Sequence, residues 1–253
     1  ISKITQKEVD SITKLHSYLE YKTSNCDILY HYTNLTNLIK IIKSGRLFLN
    51  NIKHVNDAME AALAQHANMY VASFTYEKKE AVHYWSVYGK NNPYSLRISF
   101  NRKSIYPVEP FRTLDGNLLD VKDCKLSDVI YYNNDISSKK RGYWKHNGNY
   151  FSLYNDEATI RREFPGLCKY DVWEHEKEIR LLVISDINED GIYLDLHPDF
   201  YKSMDVVFSP WIEEEIRVEL SEMLISLIKK KYNIEKNISS MSQSTIHNQI
   251  RIR

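Results

Sequence analysis

Cysteine is scarce in this chain of 253 residues, which has three, at Cys26, Cys124 and Cys168. Three scattered cysteines do not make a disulfide framework or a zinc site, and an odd number fits a reducing compartment. Long apolar runs are also missing, because a run such as Leu181 to Ile184 is far shorter than the roughly 20 residues of a membrane helix. No basic leader with an apolar run after it opens the sequence, which argues against secretion. We therefore expect a cytoplasmic protein with no membrane segment.

An excess of charge of either sign is missing too, since 34 Lys and Arg residues face 33 Asp and Glu residues. No whole-molecule field therefore draws the chain to nucleic acid or to an anionic membrane, and any such binding has to be local. The basic residues concentrate at Lys139 to Lys145 and at Lys229 to Lys231, where a solvated surface is the simpler interpretation.

Glycine is equally scarce, with seven residues, and the familiar catalytic motifs do not occur. There is no phosphate-binding glycine loop, no nucleophile elbow around a serine, no HExxH and no paired CxxC. Histidine, tyrosine and carboxylate side chains remain as the candidates for chemistry.

The composition that is present, 43% hydrophobic and 26% charged residues, is typical of a globular protein. No internal repeat, low-complexity tract or glycine-serine linker interrupts the sequence. We therefore predict a peripheral helix over residues 1–27 and a single α+β domain over residues 28–253, with a mixed, mostly antiparallel sheet surrounded by helices.

The first half of the chain shows strand and helix patterns in turn. A strand is predicted at Ile28 to Tyr32, with Thr33 and Asn34 as good helix N-caps. The helix that follows should stop at Gly45, which readily takes the left-handed C′ conformation. Further elements are predicted as strands at Leu47 to Leu49, Tyr70 to Phe74 and Ser95 to Phe100, and as a helix from Ala58 to about Asn68.

The second half begins with an irregular stretch, Pro107 to Asn155, for which we expect variable helices and loops. Beyond it, Glu178 to Ser185 is predicted as a strand with a buried centre. The remaining predictions are strands at Gly191 to Leu196 and Met204 to Phe208, a helix from Ile212 to about Tyr232 opened by Pro210, and a final strand through Ile246, Gln249 and Ile250.

Two groups of candidate residues lie near predicted helix starts. His31, Tyr32 and Thr33 end a strand just before a helix, where side chains commonly project into a cleft. Asp57 and Glu60, preceded by an asparagine at position 56, have the spacing of a capping box, so helix capping explains them without any chemistry.

The third group runs from Trp173 to Arg180. If this segment is a strand, alternate residues share a face, and Glu176, Glu178 and Arg180 line one side. Carboxylates beside an arginine at the mouth of a sheet can do acid-base or ionic work, whereas a solvated edge with salt bridges is the bland interpretation.

In order, these motifs resemble a large bacterial family of uncharacterised domains, found among others in abortive-infection and phage-defence loci. The resemblance runs from about Ile28 to Phe208. It rests on Leu29 to Thr33, Ile42 to Gly45, Asn56-Asp57 with Glu60, Trp85 with Tyr88 and Gly89, and Trp173 with Glu176, Glu178 and Arg180. The opening pattern also resembles the diphtheria-toxin-like ADP-ribosyltransferases, whose signature combines His, Tyr and Glu on a mixed sheet.

This second resemblance implies NAD as a co-substrate. His31 would then hydrogen-bond a ribose hydroxyl, and Tyr32 would help to shape or stack in the nicotinamide pocket. Thr33 and Arg180 join the same cofactor-binding set. Tyr88 is also placed in that set, although the second stacking tyrosine stays open among Tyr70, Tyr84 and Tyr88.

The resemblance makes Glu178 the catalytic carboxylate, bound to the ribose 2′-hydroxyl while oxocarbenium character develops. Glu176 would hold or deprotonate the incoming nucleophile, and the reverse assignment of the two acids stays open. On this basis we expect Glu178→Gln to abolish transfer while leaving stability close to that of the parent.

The function that the resemblance implies is a toxin or phage-defence effector that modifies a nucleic acid or a protein, and a neutralising antitoxin or chaperone is an expected partner. Two alternatives stay open. One is a non-catalytic ligand-binding or regulatory module in which His31, Trp85 and Trp173 build a cleft. The other is a magnesium-dependent nuclease with oxygen ligands from Asp57, Glu60, Glu176 and Glu178.

Overall fold

The computed structural model describes residues 11–55, 68–89, 92–106, 110–133, 143–146, 149–152 and 162–246. These residues form a mixed structure of helices and mostly antiparallel strands, which confirms the predicted α+β class. They divide into two compact units. The first unit is Ile1–Cys26, Leu49–Thr75 and Phe111–Ile192, and the second is Asp27–Phe48, Tyr76–Pro110 and Tyr193–Arg253. The prediction of a peripheral helix at 1–27 and one domain over 28–253 stays a prediction.

The first unit is built around strand β12, Glu178–Ser185. Strand β3, Met69–Thr75, pairs with it antiparallel on one side, and strand β7, Val121–Asp128, pairs with it antiparallel on the other. Its run of Ile, Leu and Val residues is buried along nearly the whole length, as expected for a central strand covered on both faces. The predicted strand with a buried centre is confirmed at the same residues.

Helix α1, Ile12–Ser24, packs its apolar side into the core of this unit. The Ser11 side chain caps its start by accepting a hydrogen bond from the Lys14 backbone N–H. The core that it helps to form consists of Leu15, Tyr18, Leu19, Ile52, Met69, Val71, Ile130, Phe164, Leu167, Cys168 and Leu182. This helix is therefore part of the hydrophobic core of the unit.

The expectation of helices and loops between Pro107 and Asn155 is wrong for the described residues, which form strands. β7 shows why these strands were not recognised from the sequence. Most of its residues are polar, Lys122 and Asp123 are exposed, and only its last three residues are buried. It pairs only with β12 in the described part of the chain, and polar side chains are typical of such an edge strand. The other strands in this stretch are β5 (Phe111–Arg112), β6 (Leu118–Leu119), β8 (Ile130–Asn133), β9 (Tyr143–His146) and β10 (Asn149–Ser152).

A second, smaller sheet of the first unit follows the order β10, β9, β8 and β11, where β11 is Cys168–Tyr170. β11 runs parallel to β8, so that Lys169 lies opposite Tyr131. A 3₁₀ helix, Asp171–Glu176, then leads directly to β12. This connection carries the third group of candidate residues.

The second unit contains a sheet in the order β15, β14, β4 and β1. β1 (Ile28–Asn34) and β4 (Ser95–Asn101) pair antiparallel over seven residues, and both confirm predicted strands. β14 (Asp205–Phe208) pairs antiparallel with β4, in agreement with the strand predicted at its position. β15 (Met241–Gln243) runs parallel to β14 and was not predicted.

Helix α2, Leu35–Ser44, begins and ends where the sequence indicated. The Asn34 side chain accepts a hydrogen bond of 2.9 Å from the Asn37 backbone N–H at its start. Gly45 follows its last residue with φ 78°, in the left-handed region that favours glycine. The cap and the stop signal were therefore both correctly identified.

The second unit has three further α-helices among the described residues. α3 is Val82–Gly89, α4 is Pro198–Ser203 and α5 is Glu214–Tyr232. The predicted long helix is thus confirmed as α5, although it begins at Glu214 and Pro210 lies in the turn before it.

Strands β2 (Arg46–Asn51) and β13 (Gly191–Asp195) contain residues of both units and confirm two predicted strands. The predicted helix from Ala58, the capping residues 56–60 and the last predicted strand beyond Ile246 lie outside the described residues. No helix in the described ranges is both long and apolar enough to cross a membrane.

Candidate functional site

Four charged side chains meet at the start of β12 in the first unit. Glu178 and Arg180 belong to β12, Lys169 belongs to β11, and Glu176 ends the 3₁₀ helix between these strands. All four are buried, and the most exposed of them, Lys169, shows 9% of its surface. Buried charges are costly unless they are paired, so the pairing within this charged cluster determines what it can do.

Arg180 holds Glu178 through both carboxylate oxygens. The guanidinium Nε donates to Oε1 at 2.6 Å, and one terminal nitrogen donates to Oε2 at 3.0 Å. Another guanidinium nitrogen donates to the Gly166 carbonyl at 2.8 Å. A two-point contact of this kind fixes the plane of the carboxylate as well as its position.

Lys169 joins the two acids. Its ammonium donates to Glu176 Oε2 at 2.5 Å and to Glu178 Oε2 at 3.3 Å. Burial by itself would lower the pKa of Lys169, but the carboxylates of Glu178 and Glu176 reverse this and hold the pKa above its ordinary value. The lysine therefore stays charged and keeps two like-charged carboxylates close together.

The surroundings of Glu178 act on its protonation in opposite directions. Burial, helped by the Glu176 carboxylate, raises the pKa of the Glu178 carboxyl above its ordinary value, although Lys169 and a hydrogen bond from Ser73 act to lower it. The Glu178 backbone N–H donates to the Tyr131 hydroxyl at 2.9 Å, which anchors the first residue of β12. A carboxylate held this way is stabilised in one orientation before any substrate arrives.

The strand expected from Trp173 to Arg180 is correct only from Glu178 onward. Residues 171–176 form a 3₁₀ helix, and Lys177 has a left-handed conformation with φ 43°. Glu176 therefore does not reach Glu178 by strand alternation, as we expected, but through this backbone reversal. Alternation does apply to Glu178 and Arg180, which share one face of β12.

Trp173 lies at the edge of the charged cluster. The Lys169 ammonium sits 4.9 Å from the centre of its indole ring, within the range of a cation–π contact. Trp173 is half-buried, and its ring lies 6.2 Å from that of His175. An aromatic surface thus adjoins the Lys169–Glu176 pair.

The magnesium alternative depends in part on Asp57 and Glu60, which lie outside the described residues. Within the described ranges, no group of three or more His, Cys, Asp or Glu residues is arranged to hold a metal ion. Glu176 and Glu178 direct their oxygens at Lys169 and Arg180, so cationic side chains already occupy the places of a metal ion.

An aromatic cluster in the second unit surrounds Tyr32. Its ring stacks on Tyr84 at 5.1 Å, meets the edge of Trp85 at 5.1 Å and lies 6.2 Å from Tyr88. Tyr84 and Trp85 are buried, whereas Tyr88 is 38% exposed. Of the three tyrosines left open as a stacking partner, Tyr84 and Tyr88 therefore contact Tyr32.

Tyr70, the third of those tyrosines, has a different part in the first unit. It is fully buried, its hydroxyl donates to the Ile187 carbonyl at 2.8 Å, and the same oxygen accepts from the Glu189 backbone N–H at 3.0 Å. These contacts hold the loop after β12 in place, so Tyr70 has a structural role in the first unit.

Strand β1 divides the predicted cofactor-binding residues between its two faces. Successive side chains of a strand point to opposite faces, so Tyr32 shares one face with Tyr30, and His31 shares the other with Leu29 and Thr33. The ring contacts of Tyr32 with Tyr84 and Trp85 show that this side chain lies against α3. His31 belongs to the second unit and Glu178 to the first, and their convergence on one ligand stays a prediction.

Lys169 is the residue of the charged cluster that the sequence reading missed. It lies between Cys168 and Tyr170 in a three-residue strand, and nothing in the periodicity marks so short an element. The one available signal is a lysine within an otherwise apolar segment that begins at Phe164 and includes Leu167 and Cys168.

No family model matches the sequence, and no curated protein matches it. Among solved structures, the chain is similar to DarT of Thermus sp. 2.9 in complex with NAD+, with a TM-score of 0.37 and 10% identity over 87% of this chain and 95% of that one. It is also similar to the same protein in complex with ADP-ribosylated ssDNA, with a TM-score of 0.34 and 10% identity over 84% and 91% of the two chains. Likenesses at this level assign neither a fold family nor an activity to the chain.

Proposed function

We propose that this protein is an NAD-dependent ADP-ribosyltransferase in which Glu178 is the carboxylate that acts on the ribose. The observation that carries the proposal is the charged cluster of Lys169, Glu176, Glu178 and Arg180. One buried carboxylate is held at two points by an arginine, and a second carboxylate is tied to it by a shared lysine.

Glu178 is suited to stabilise positive charge that develops on a sugar. Cleavage of the N-glycosidic bond of NAD gives the ribose oxocarbenium character, and a fixed carboxylate at the 2′-hydroxyl stabilises that charge. Arg180 supplies the orientation, because it fixes both oxygens. The contact from Lys169 is the longest of those from the two cations, at 3.3 Å, and a substrate hydroxyl would displace it most easily.

Glu176 would orient or activate the nucleophile. Its bond to Lys169 keeps it near Glu178 but on a separate element, the end of the 3₁₀ helix. As a carboxylate it can orient or deprotonate the attacking group of the acceptor. Trp173, beside Lys169, offers an aromatic surface for that acceptor.

Within the second unit, we propose cofactor contacts for residues of β1 and α3. His31 would hydrogen-bond a ribose hydroxyl, with Thr33 next to it on the same face of β1. Tyr32 and Tyr88 would contact the nicotinamide ring, since Tyr88 is the solvent-exposed member of the aromatic cluster.

The biological role that we propose is that of a cytoplasmic bacterial toxin or phage-defence effector. Its acceptor is a macromolecule, either a nucleic acid or a protein, and an antitoxin or chaperone would neutralise it in the host cell. The balance of 34 basic and 33 acidic residues means that a nucleic-acid acceptor would have to be held by a local surface.

Incubation of the protein with labelled NAD and a whole-cell lysate tests the proposal. Samples are then digested separately with nuclease and with protease to show which macromolecule carries the label. We expect label in one of the two fractions with the parent protein and strongly reduced label with Glu178→Gln, while Glu163→Gln, a change at an exposed carboxylate of the same unit, serves as the control. Absence of NAD consumption by the folded parent, or nucleic-acid cleavage that needs magnesium and no NAD, would contradict the proposal.

A further inference from the structure

Two buried charges of opposite sign lie below the aromatic cluster in the second unit. Arg97, on β4, and Glu80, in the loop before α3, expose 8% and 3% of their side chains. The guanidinium lies 3.8 Å from Glu80 Oε1 and donates to the Lys78 carbonyl at 2.9 Å. Arg97 thus fixes the loop that leads into the helix carrying Tyr84, Trp85 and Tyr88.

Glu80 is itself anchored by the segment that follows β15. Its Oε2 accepts from the Ser244 hydroxyl at 2.5 Å, and its Oε1 accepts from the Thr245 backbone N–H and hydroxyl, both at 3.0 Å. Glu80 and its partners Ser244 and Thr245 lie 164 and 165 positions apart in sequence, so the segment after β15 helps to hold Glu80 in place.

Arg97 also faces Tyr32 directly. The two residues are register partners in the β1–β4 pair, so their side chains lie side by side on one face. The guanidinium sits 4.8 Å from the centre of the Tyr30 ring on that face. Tyr32 is thus enclosed by Arg97 on the sheet and by the aromatic residues of α3.

Hydrogen bonding is incomplete at this contact. Among the described residues, the Arg97 Nε and the Trp85 Nε1 are buried without a hydrogen-bond partner. The Tyr32 hydroxyl has no partner in good geometry, but burial raises its pKa and the Arg97 guanidinium lowers it, so the two groups interact. A buried polar group without a well-formed hydrogen bond is costly to folding, so this arrangement is unfavourable by itself. Buried polar groups that lack hydrogen bonds do not stabilise the fold, so their presence in a native structure needs an explanation other than packing.

We infer that Arg97 and Glu80 are positioning residues for Tyr32, and that Ser244 and Thr245 set them in place. Arg97 holds Tyr32 from the neighbouring strand and holds the loop before α3. Glu80 holds Arg97, and the segment after β15 holds Glu80. The effect of these residues on NAD binding rests on the proposed function, in which Tyr32 contacts the nicotinamide ring.

The first test needs no NAD. Trp85 meets the Tyr32 ring edge-on at 5.1 Å, so the chemical shift of its indole N–H reports on the position of that ring. The resonance is assigned with Trp85→Phe and compared in the parent, Arg97→Met and Thr245→Val. Arg46→Met is the matched control, because Arg46 pairs with Asp195 in the same unit.

We expect the Trp85 indole resonance to shift in Arg97→Met and in Thr245→Val, and to stay in place in Arg46→Met. Thr245→Val is the milder change, since Thr245 is exposed and loses one side-chain hydrogen bond to Glu80. The Thr245→Val variant keeps the test valid if Arg97→Met does not fold. An indole resonance unchanged in the folded variants of Arg97 and Thr245 overturns the inference, whatever the protein does with NAD.

The second test uses turnover of NAD. If Arg97 acts through Tyr32, Arg97→Met should raise KM for NAD about tenfold and leave kcat within about twofold, because a contact made equally in ground and transition states affects KM alone. Arg97→Lys should recover part of the loss. In a Tyr32→Ala background, Arg97→Met should add nothing further.

The two tests separate the inference from the proposed function. A parent protein that does not consume NAD contradicts the function, and the indole resonance then decides the inference alone. A parent that consumes NAD while Arg97→Met and Tyr32→Ala have additive effects on KM contradicts the inference and leaves the function standing.

Discussion

Arg180 binds both carboxylate oxygens of Glu178, although the two residues lie two positions apart on one strand. Strand geometry places such neighbours on the same face, and the long arginine side chain folds back along the strand to reach the acid. The contact therefore needs no other element to form. If Glu178 acts on the ribose, its orientation is already set when β12 pairs with its neighbours.

Glu178→Gln should reduce transfer by about 10²–10³-fold, because the amide keeps the shape of the side chain but loses the charge that stabilises the transition state. The measurement is the initial rate of label transfer from NAD at saturating acceptor. Glu163→Gln, at an exposed carboxylate of the same unit, should transfer at the rate of the parent. Parental rates in Glu178→Gln would remove Glu178 from the reaction.

The same substitution should also destabilise the protein, contrary to the expectation drawn from sequence alone. Glu178 is 5% exposed and is bonded to Arg180 and Lys169, so loss of its charge leaves two buried cations less well matched. We expect a loss of about 2–3 kcal/mol in the free energy of unfolding. Urea denaturation of the parent and the variant measures it, and an unchanged midpoint would show that the buried pairing contributes nothing.

Because Lys169 is buried and paired with two carboxylates, we expect the protein to lose stability at high pH. The pKa of Lys169 in the folded protein is held above the ordinary value of 10.5 by Glu178 and Glu176 against the effect of burial. A raised pKa means that the folded state binds the proton more tightly, so its contribution is complete below pH 10.5 and is lost as the pH rises through the folded pKa. Urea denaturation at pH 8, 9.5 and 11 should show a steeper fall in stability for the parent than for Lys169→Met. Parallel curves for the two proteins would contradict this assignment.

His31→Ala should weaken the binding of NAD about tenfold while leaving the fold intact, if His31 bonds the ribose as proposed, since a hydrogen bond of this kind contributes roughly 1 kcal/mol or somewhat more. Isothermal titration with NAD measures the affinity. His54→Ala is the control, because His54 is an exposed histidine that pairs with Asp190. Equal affinities of the parent and His31→Ala would exclude a role for His31 in NAD binding.

Asn34→Ala should lower the free energy of unfolding by about 1 kcal/mol, because the Asn34 side chain accepts the hydrogen bond that caps α2. Asn34→Asp should keep the cap and most of the stability. Asn37→Ala is a matched control in the first turn of the same helix, since Asn37 contributes its backbone N–H to this bond and its side chain is exposed. Thermal unfolding followed by circular dichroism compares all three variants, and equal losses in Asn34→Ala and Asn37→Ala would contradict the capping role.

Local signals in the sequence were sufficient for much of the fold. The N-cap at Asn34, the stop at Gly45 and the apolar run of β12 each act through the backbone of a few neighbouring residues, so they are visible without the rest of the molecule. The class of the fold followed from such elements in order. Strand β7 was missed for the opposite reason, because its pairing with β12 overrides a polar sequence.

The candidate site was predicted only in part. Glu176, Glu178 and Arg180 were correctly grouped, but Lys169 reaches them from another strand, and no local pattern indicates which strands will be neighbours. The role of Tyr32 at the nicotinamide ring stays a prediction, and its register with Arg97 depends on the pairing of β1 and β4. Long-range pairing is thus the information that a single sequence did not supply.

Because the backbone is left-handed at Lys177, the two-residue spacing of Glu176 and Glu178 does not reflect strand alternation. In a pleated strand, two acids lie on the same face only when they are an even number of residues apart. Inserting or deleting one residue between Glu176 and Glu178 would therefore move Glu176 to the opposite face. A loop reversal imposes no such rule, and a related chain with a longer connection there could still bring its first acid to the lysine. The interval from Glu178 to Arg180 has no such latitude, and it is the better diagnostic for recognising distant relatives of this protein.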